Sequence, residues 1–385
     1  MSTPASTSAQ PFTIAIPQST LDDLRDRLAR TRWPDAPAGA GWDYGADVAS
    51  IKALAEYWQT GFDWRTQEAA LNGLSHFKAT VNGTGIHFVH ERGKGPNPLP
   101  LLLLHGWPSS FLQMVKILPL LTDPAPHGGD AADSFDVVVP SLPGYGFSDR
   151  PTAPGMGVAQ IGNLFATLMT DVLGYGRFGA RASDLGAGVS KEMALARPEL
   201  FAGLHHSCTS PFVFFVPEDL SAAEQKFLQE AQAFAQAEGA YAMLQSTKPQ
   251  TAAFGLNDSP AGLAAWVVEK FRNWSDCEGN VERRFTKGEL LTNLTLYWAT
   301  ETIGSSMRLY AESARIPSPN AGKRVEVPTA MAMLPKDLVS GPREWHEREY
   351  TVVRWTDLPR GGHFGEWEEP ELLAEDIRAF FREVR

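Results

Sequence analysis

From about residue 76 to the end of the chain, short apolar runs alternate with stretches of helical spacing. Leu99–Leu104 is a nearly unbroken apolar run, typical of a strand buried on both faces of a parallel sheet. Phe77–Val81 and His87–Glu91 flank Asn82-Gly83, which predicts a β-hairpin. Further strands are predicted at 135–139, 177–182, 204–207, 327–333 and 350–355, and helices at 158–173, 188–197 and 372–384. This alternation predicts an α/β fold with a mostly parallel central sheet and helices on both faces.

Two regions depart from this pattern. Between residues 213 and 317 the strand signal nearly disappears, and helices are predicted at 221–238, 259–274 and 287–313. Before the sheet, residues 1–11 look like a mobile tail, and residues 12–75 combine helical spacing with many aromatic side chains. We therefore predict a tail and N-terminal arm (1–75), a first core segment (76–212), a helical cap (213–317) and a second core segment (318–385).

Composition narrows the class of protein. The 385 residues are 43% hydrophobic and carry 34 Lys and Arg against 45 Asp and Glu, a formal charge of −11 that disfavours nucleic acid and anionic lipid as partners. The two cysteines, Cys208 and Cys277, are too few for a disulfide framework. No apolar run approaches the ~18 residues of a membrane span, and no signal peptide is evident. We expect a soluble cytoplasmic protein that does not bind membranes.

The turn after the predicted strand 177–182 has the composition of a nucleophile elbow. Such a strand-turn-helix needs small residues two positions before and two and three positions after a strained nucleophile. Centred on Asp184, these positions are Ala182, Gly186 and Ala187; centred on Ser183, they are Arg181, Leu185 and Gly186. The steric pattern favours an aspartate nucleophile, although Asp184 alone could equally be a helix cap.

Two loops offer the remaining parts of a hydrolytic site. His105-Gly106-Trp107-Pro108 follows the most apolar strand, where the N–H of Trp107 could form an oxyanion hole with that of Leu185, or could simply belong to a turn. In the α/β-hydrolase arrangement the chain order is nucleophile, acid, histidine. His363 lies in a loop late enough to be the histidine, whereas His346 lies in what reads as a solvated helix. Asp337 follows a predicted strand and is the expected acid, with Asp357 as a weaker rival.

With these residues, the chain resembles the epoxide hydrolases of the microsomal type, which have the α/β-hydrolase fold and an N-terminal arm. The resemblance covers nearly the whole chain from about residue 12. It rests on motifs at 32–34 (RWP), 105–108 (HGWP), 143–148 (PGYGFS), 247–250 (TKPQ), 256–260 (LNDSP) and 360–364 (RGGHF).

The resemblance implies that Asp184 is the nucleophile, Asp337 the acid and His363 the base. It also implies that two cap tyrosines, Tyr241 and Tyr310, assist ring opening; the sequence pattern alone does not select them. The expected reaction converts a small-molecule epoxide and water to a vicinal diol through an aspartyl ester, without metal, nucleotide or flavin. Substrate-pocket residues are predicted to be His105, Phe212, Phe254 and Phe364.

Where many relatives resemble Gly-Gly-Asp-Trp-Gly at the elbow, this chain has Ala182-Ser183-Asp184-Leu185-Gly186. Leucine at 185 disfavours a haloalkane dehalogenase, which needs N–H donors for the halide, and the bulky neighbours of Ser183 disfavour a serine esterase. The complete catalytic set disfavours a non-catalytic ligand-binding homologue. The sequence does not give the oligomeric state, and a homodimer is compatible with it.

Overall fold

The computed structural model describes residues 8–207 and 216–385. Within these residues nine strands form one sheet in the order β1-β2-β3-β5-β4-β6-β7-β8-β9. The strands are β1 (Gln10–Pro11), β2 (His76–Val81), β3 (Thr84–Glu91), β4 (Leu99–Leu104), β5 (Phe135–Pro140), β6 (Phe178–Ala182), β7 (Phe201–His206), β8 (Val325–Met333) and β9 (Tyr350–Asp357). The pairs among β1, β2, β3 and β5 are antiparallel and all others are parallel, which confirms the predicted mostly parallel sheet.

The helices fall into three groups. The N-terminal group is α1 (Gln18–Ala29), α2 (Val48–Thr60) and α3 (Trp64–Leu71). The core helices are α4 (Leu118–Thr122), α5 (Val158–Thr167), α6 (Asp184–Ala196), α13 (Arg343–Glu349), α14 (Gly365–Glu368) and α15 (Pro370–Val384). Between β7 and β8 lie α7 (Ala222–Ala237), α8 (Ala240–Thr247), α9 (Pro249–Leu256), α10 (Pro260–Trp274), α11 (Lys287–Thr300) and α12 (Ile303–Arg315).

The C-terminal helix α15 packs closely on the sheet because the strands facing it carry glycine. A Cβ atom on Gly179 of β6 would lie 2.4 Å from the ring of Phe381, and one on Gly203 of β7 would lie 2.6 Å from the ring of Phe380. Helices α5 and α6 pack against each other, and α6 also contacts strands β4, β6, β7 and β8. The carboxyl ends of β4, β6 and β8 are thereby fixed relative to one another, and these ends carry the candidate catalytic loops.

The N-terminal helices pack against the helices inserted after β7. The indole N–H of Trp58 donates a hydrogen bond of 2.9 Å to the hydroxyl of Thr295, and Arg27 pairs with Asp258. The arm therefore buttresses α10 and α11, two of the helices inserted after β7. The predicted domain boundaries themselves stay predictions, and the one at 212/213 lies outside the described residues.

Three predictions of local structure need correction. The predicted tail ends earlier than residue 11, because Gln10 and Pro11 pair with β2. Helix α6 begins at Asp184 rather than 188, since the nucleophile turn is itself the helix start. His346 does lie in a helix, but its ring packs against Trp355 and is only 3% exposed, so it is not solvated.

Candidate active site

Asp184 stands at a strained turn between β6 and α6. Its φ of +51° lies in the left-handed region, which a non-glycine residue adopts at a cost, whereas Ser183 is extended with φ −140°. The turn is crowded on both sides. A Cβ on Gly186 would lie 2.5 Å from the Leu104 carbonyl oxygen, and one on Gly106 would lie 2.2 Å from Oδ1 of Asp184. Glycine at these two positions lets the carboxylate approach the loop after β4.

The variant Gly186→Ala is expected to destabilise the fold by about 1–3 kcal/mol, because the added methyl group overlaps strand backbone that cannot easily shift. Gly188→Ala is the matched control: its Cβ would meet only Val158, at 3.8 Å, so its unfolding free energy should be unchanged or higher by about 0.4–1 kcal/mol. Chemical denaturation of both variants tests this. Equal stability of the two would contradict the crowding described for Gly186.

Two backbone N–H groups hold the Asp184 carboxylate. That of Trp107 donates to Oδ1 at 2.8 Å, and that of Leu185 also donates to the carboxylate. The loop carrying Trp107 is fixed from the cap side, since Asn293 donates to the Pro108 carbonyl and Tyr297 to the Ser109 carbonyl. These two N–H groups have the arrangement of an oxyanion hole.

His363 lies between Asp337 and Asp184. Its Nδ1 is 2.8 Å from Oδ1 of Asp337, and its Nε2 is 3.7 Å from Oδ2 of Asp184. Because the carboxylate of Asp337 accepts the Nδ1 proton, Nε2 is directed at the candidate nucleophile. The site is buried, and burial opposes a charged imidazole. The carboxylates of Asp337 and Asp184 outweigh this and raise the pKa of His363 above its ordinary value.

The same surroundings also shift the pKa of Asp184. Burial raises the pKa of its carboxyl group, while the neighbouring His363 and the N–H groups of Leu185 and Trp107 favour the ionised form. The charge of Asp184 and that of His363 therefore stabilise each other.

Tyr241 on α8 and Tyr310 on α12 meet above this site. The Tyr241 ring stacks on Trp107 with centroids 5.4 Å apart, and the Tyr310 ring lies edge-on to both at 6.1 Å. Burial, together with the charge of Asp184, raises the pKa of Tyr310 well above its ordinary value. This phenol is therefore held in its protonated, hydrogen-bond-donating form.

Sequence reasoning missed Trp274, at the end of α10. Its ring lies 5.3 Å from that of His363 and 4.9 Å from that of Tyr241. With Trp107 it forms an apolar wall on the space above the carboxylate. The sequence carries no local signal for this, because Trp274 lies on the apolar face of a helix like any core residue.

Of the four predicted pocket residues, His105 and Phe364 are buried next to the catalytic candidates, and Phe212 lies outside the described residues. His105 is fully buried behind the loop, where Nδ1 lies 3.1 Å from the Gly106 carbonyl oxygen and Nε2 accepts from Leu142; burial lowers its pKa to about 4. Phe364 stacks on Phe271 at 4.2 Å in an aromatic cluster.

Phe254 is 77% exposed, because its neighbour Ala253 occupies the buried face of α9. It lines a surface groove that includes none of the catalytic candidates. This corrects its assignment to the substrate pocket. Among residues 8–207 and 216–385 no cluster of His, Cys, Asp or Glu could hold a metal ion, and no helix is long and apolar enough to cross a membrane.

The sheet, the strand-turn-helix aspartate, the late histidine and the helices inserted over them define an α/β hydrolase with a cap. The family model for the alpha/beta hydrolase fold matches residues 100–296, and that for the epoxide hydrolase N terminus matches residues 9–114. The chain belongs to the epoxide hydrolase family.

Relatives agree over nearly the full length. The chain is 44% identical to a Stigmatella aurantiaca protein named as an epoxide hydrolase, over 97% of this chain and 85% of the relative. It is 35% identical to epoxide hydrolase 1 of Sus scrofa, over 97% of this chain and 88% of the relative. Among solved structures it is similar to the juvenile hormone epoxide hydrolase of Bombyx mori (TM-score 0.85, 33% identity, 99% and 96% covered). It is also similar to the Aspergillus niger epoxide hydrolase (TM-score 0.86, 30% identity, 99% and 98% covered).

Proposed function

We propose that this epoxide hydrolase opens apolar epoxides to vicinal diols through a covalent ester on Asp184. The observation that carries the proposal is the placement of one carboxylate between three kinds of group. Oδ1 of Asp184 accepts from Trp107, Oδ2 faces Nε2 of His363, and the phenols of Tyr241 and Tyr310 lie above. Each group has a separate task in a two-step reaction.

In the first step Oδ2 of Asp184 attacks a ring carbon of the epoxide. A bond forms between that carbon and Oδ2, the carbon–oxygen bond of the ring breaks, and the departing oxygen takes a proton from a phenol. Tyr241 and Tyr310 are the donors in this proposal. The aromatic surface of Trp107 and Trp274 beside them favours an apolar substituent on the epoxide.

In the second step a water molecule attacks the ester carbonyl carbon. Nε2 of His363 takes the proton of this water, and the N–H groups of Trp107 and Leu185 stabilise the oxyanion, each worth about 3 kcal/mol by comparison with measured removals. The bond between the carbonyl carbon and Oδ2 then breaks, and the diol leaves with that oxygen and a proton from His363. Asp184 keeps one oxygen of the water, and the second proton of that water returns to the tyrosine phenolate left by the first step, which restores both groups.

Ester formation itself prepares His363 for this step. The Asp184 charge is one of the causes that raise the pKa of His363, and the ester removes that charge. The pKa of His363 therefore falls, and the ring becomes free to accept a proton.

The rate of ester hydrolysis is expected to decline as the pH is lowered and His363 becomes protonated. The pH at which this rate is half its maximum should lie below the pKa of His363 in the free enzyme, because the free enzyme still carries the Asp184 charge. Decay of the ester in rapid-quench experiments gives the first value, and an NMR titration of the ring gives the second. A hydrolysis midpoint at or above the free-enzyme pKa would contradict the charge coupling.

The tyrosine assignment is the direct test of the first step. Tyr241→Phe and Tyr310→Phe should each slow ring opening by about 10- to 100-fold, since loss of one proton donor leaves the other in place. Single-turnover mixing with a styrene-type epoxide measures ring opening separately from hydrolysis. Tyr44→Phe, at an exposed position, is the control. Unchanged ring opening in the double variant would remove the tyrosines from the mechanism.

A further inference from the structure

A buried ion pair that the catalytic steps do not use joins strand β6 to helix α14. Nε of Arg181 is 2.8 Å from Oε1 of Glu366, and both side chains are fully buried. Removing two charges from water is costly, and an apolar pair would often serve stability as well. Its cost is better explained by the groups that the pair holds in place.

The pair continues toward the loop after β4. Oε2 of Glu366 accepts from the Gln113 amide nitrogen at 2.6 Å, and Oε1 of Gln113 accepts from the Ser109 hydroxyl at 2.5 Å. The same hydroxyl lies 3.0 Å from the carbonyl oxygen of Gly106, so its one proton is shared between the two oxygens in a bifurcated hydrogen bond. All four side chains are buried, so water does not compete for these hydrogen bonds.

The Gly106 carbonyl belongs to the same peptide unit as the Trp107 N–H. A peptide unit is planar, so a group that fixes the direction of the C=O also fixes the direction of the N–H. That N–H is the one that donates to Oδ1 of Asp184. This series of side-chain hydrogen bonds therefore ends at the peptide that supplies one of the two N–H groups of the oxyanion hole.

The other end is anchored in the C-terminal helix. Nη1 of Arg181 donates to Nδ1 of His205 at 3.3 Å, which leaves Nε2–H of His205 to donate to Asp376 of α15 at 2.9 Å. Asp376 in turn accepts from Arg354 of β9. Strands β6, β7 and β9, helix α15 and the loop after β4 are thus joined by one run of polar contacts.

We propose that Arg181, Glu366, Gln113 and Ser109 are positioning residues that orient the Gly106–Trp107 peptide for the hydrolysis of the Asp184 ester. The proposal rests on the proposed two-step function. The oxyanion develops only in the second step, so disorder of this peptide should slow hydrolysis far more than ring opening. None of the four side chains needs to touch the substrate.

The test is a comparison of two buried serines. Ser109→Ala removes the contact to Gly106, whereas Ser134→Ala removes an equally buried hydroxyl that accepts from the Gly95 N–H, a contact that is not part of the candidate site. Rapid-quench mass spectrometry gives the rates of ester formation and decay. Ser109→Ala is expected to slow ester decay about tenfold and ester formation less than about twofold, so that ester accumulates. Ser134→Ala should leave both rates unchanged.

Glu366→Gln provides an independent variant, because it keeps the shape of the side chain and removes the charge. It should show the same selective slowing of ester decay. Equal slowing of both steps, or unchanged rates in Ser109→Ala and Glu366→Gln with folding intact by circular dichroism, would overturn the positioning role. If the wild-type enzyme itself formed no ester, the proposed function would fail first, and that outcome is visible before any variant is made.

Discussion

Replacement of His363 by alanine is expected to stop the enzyme after one ring opening. Ring opening depends on Asp184 and the tyrosines, whereas hydrolysis needs Nε2 of His363, which lies 3.7 Å from the Asp184 carboxylate. Turnover should fall by a factor on the order of 10³ or more, and the protein should gain the mass of one substrate molecule. Intact-mass spectrometry followed by peptide mapping should place the adduct on Asp184.

The pH of that experiment matters. His363 is one of the groups that favour the ionised form of Asp184, so its removal raises the pKa of the Asp184 carboxyl group. The variant should therefore be tested over a series of increasing pH values, because higher pH favours the ionised carboxylate. His127→Ala, an exposed histidine, should turn over like the wild type. If His363→Ala acquires no adduct from a substrate that the wild type consumes, the assignment of His363 to the second step is incorrect.

Asp184→Asn is expected to remove activity almost completely. Asparagine tolerates the left-handed φ of +51° and fills the same space, so the change removes the nucleophilic charge with little disturbance of the fold. Diol formation should fall by a factor on the order of 10⁴ or more, by analogy with the loss of other enzymic nucleophiles.

Freshly prepared protein is needed, with its mass checked, because deamidation would regenerate the aspartate. Substantial diol formation by protein of verified mass would show that Asp184 does not carry the reaction.

Much of the core could be predicted from sequence because it follows from local physical requirements. Leu99–Leu104 is apolar throughout because β4 is buried on both faces, and its bounds agree with the prediction. The identity of the strained residue could be inferred from the small side chains around it. Gly186 is small because the Leu104 carbonyl lies where a Cβ would be.

Features that depend on packing between distant elements could not be predicted in this way. Tyr241 and Trp274 lie on cap helices whose orientation is set by tertiary contacts, and nothing in their immediate neighbours marks them. For the same reason the outward direction of Phe254 and the burial of His346 were not visible in the sequence. The bulky Arg181 beside the elbow became interpretable only with its partner Glu366, which is far away along the chain.

An ester on Asp184 is tested most directly by following oxygen through one turnover. Enzyme in excess over epoxide is mixed in water labelled with heavy oxygen, and the diol and the protein are analysed by mass spectrometry. We expect the first diol to carry no label, because its new oxygen is Oδ2 of Asp184, and we expect the label to enter the Asp184 carboxylate. Label in the first-turnover diol would mean that water attacks the epoxide directly, and would contradict an ester intermediate on Asp184.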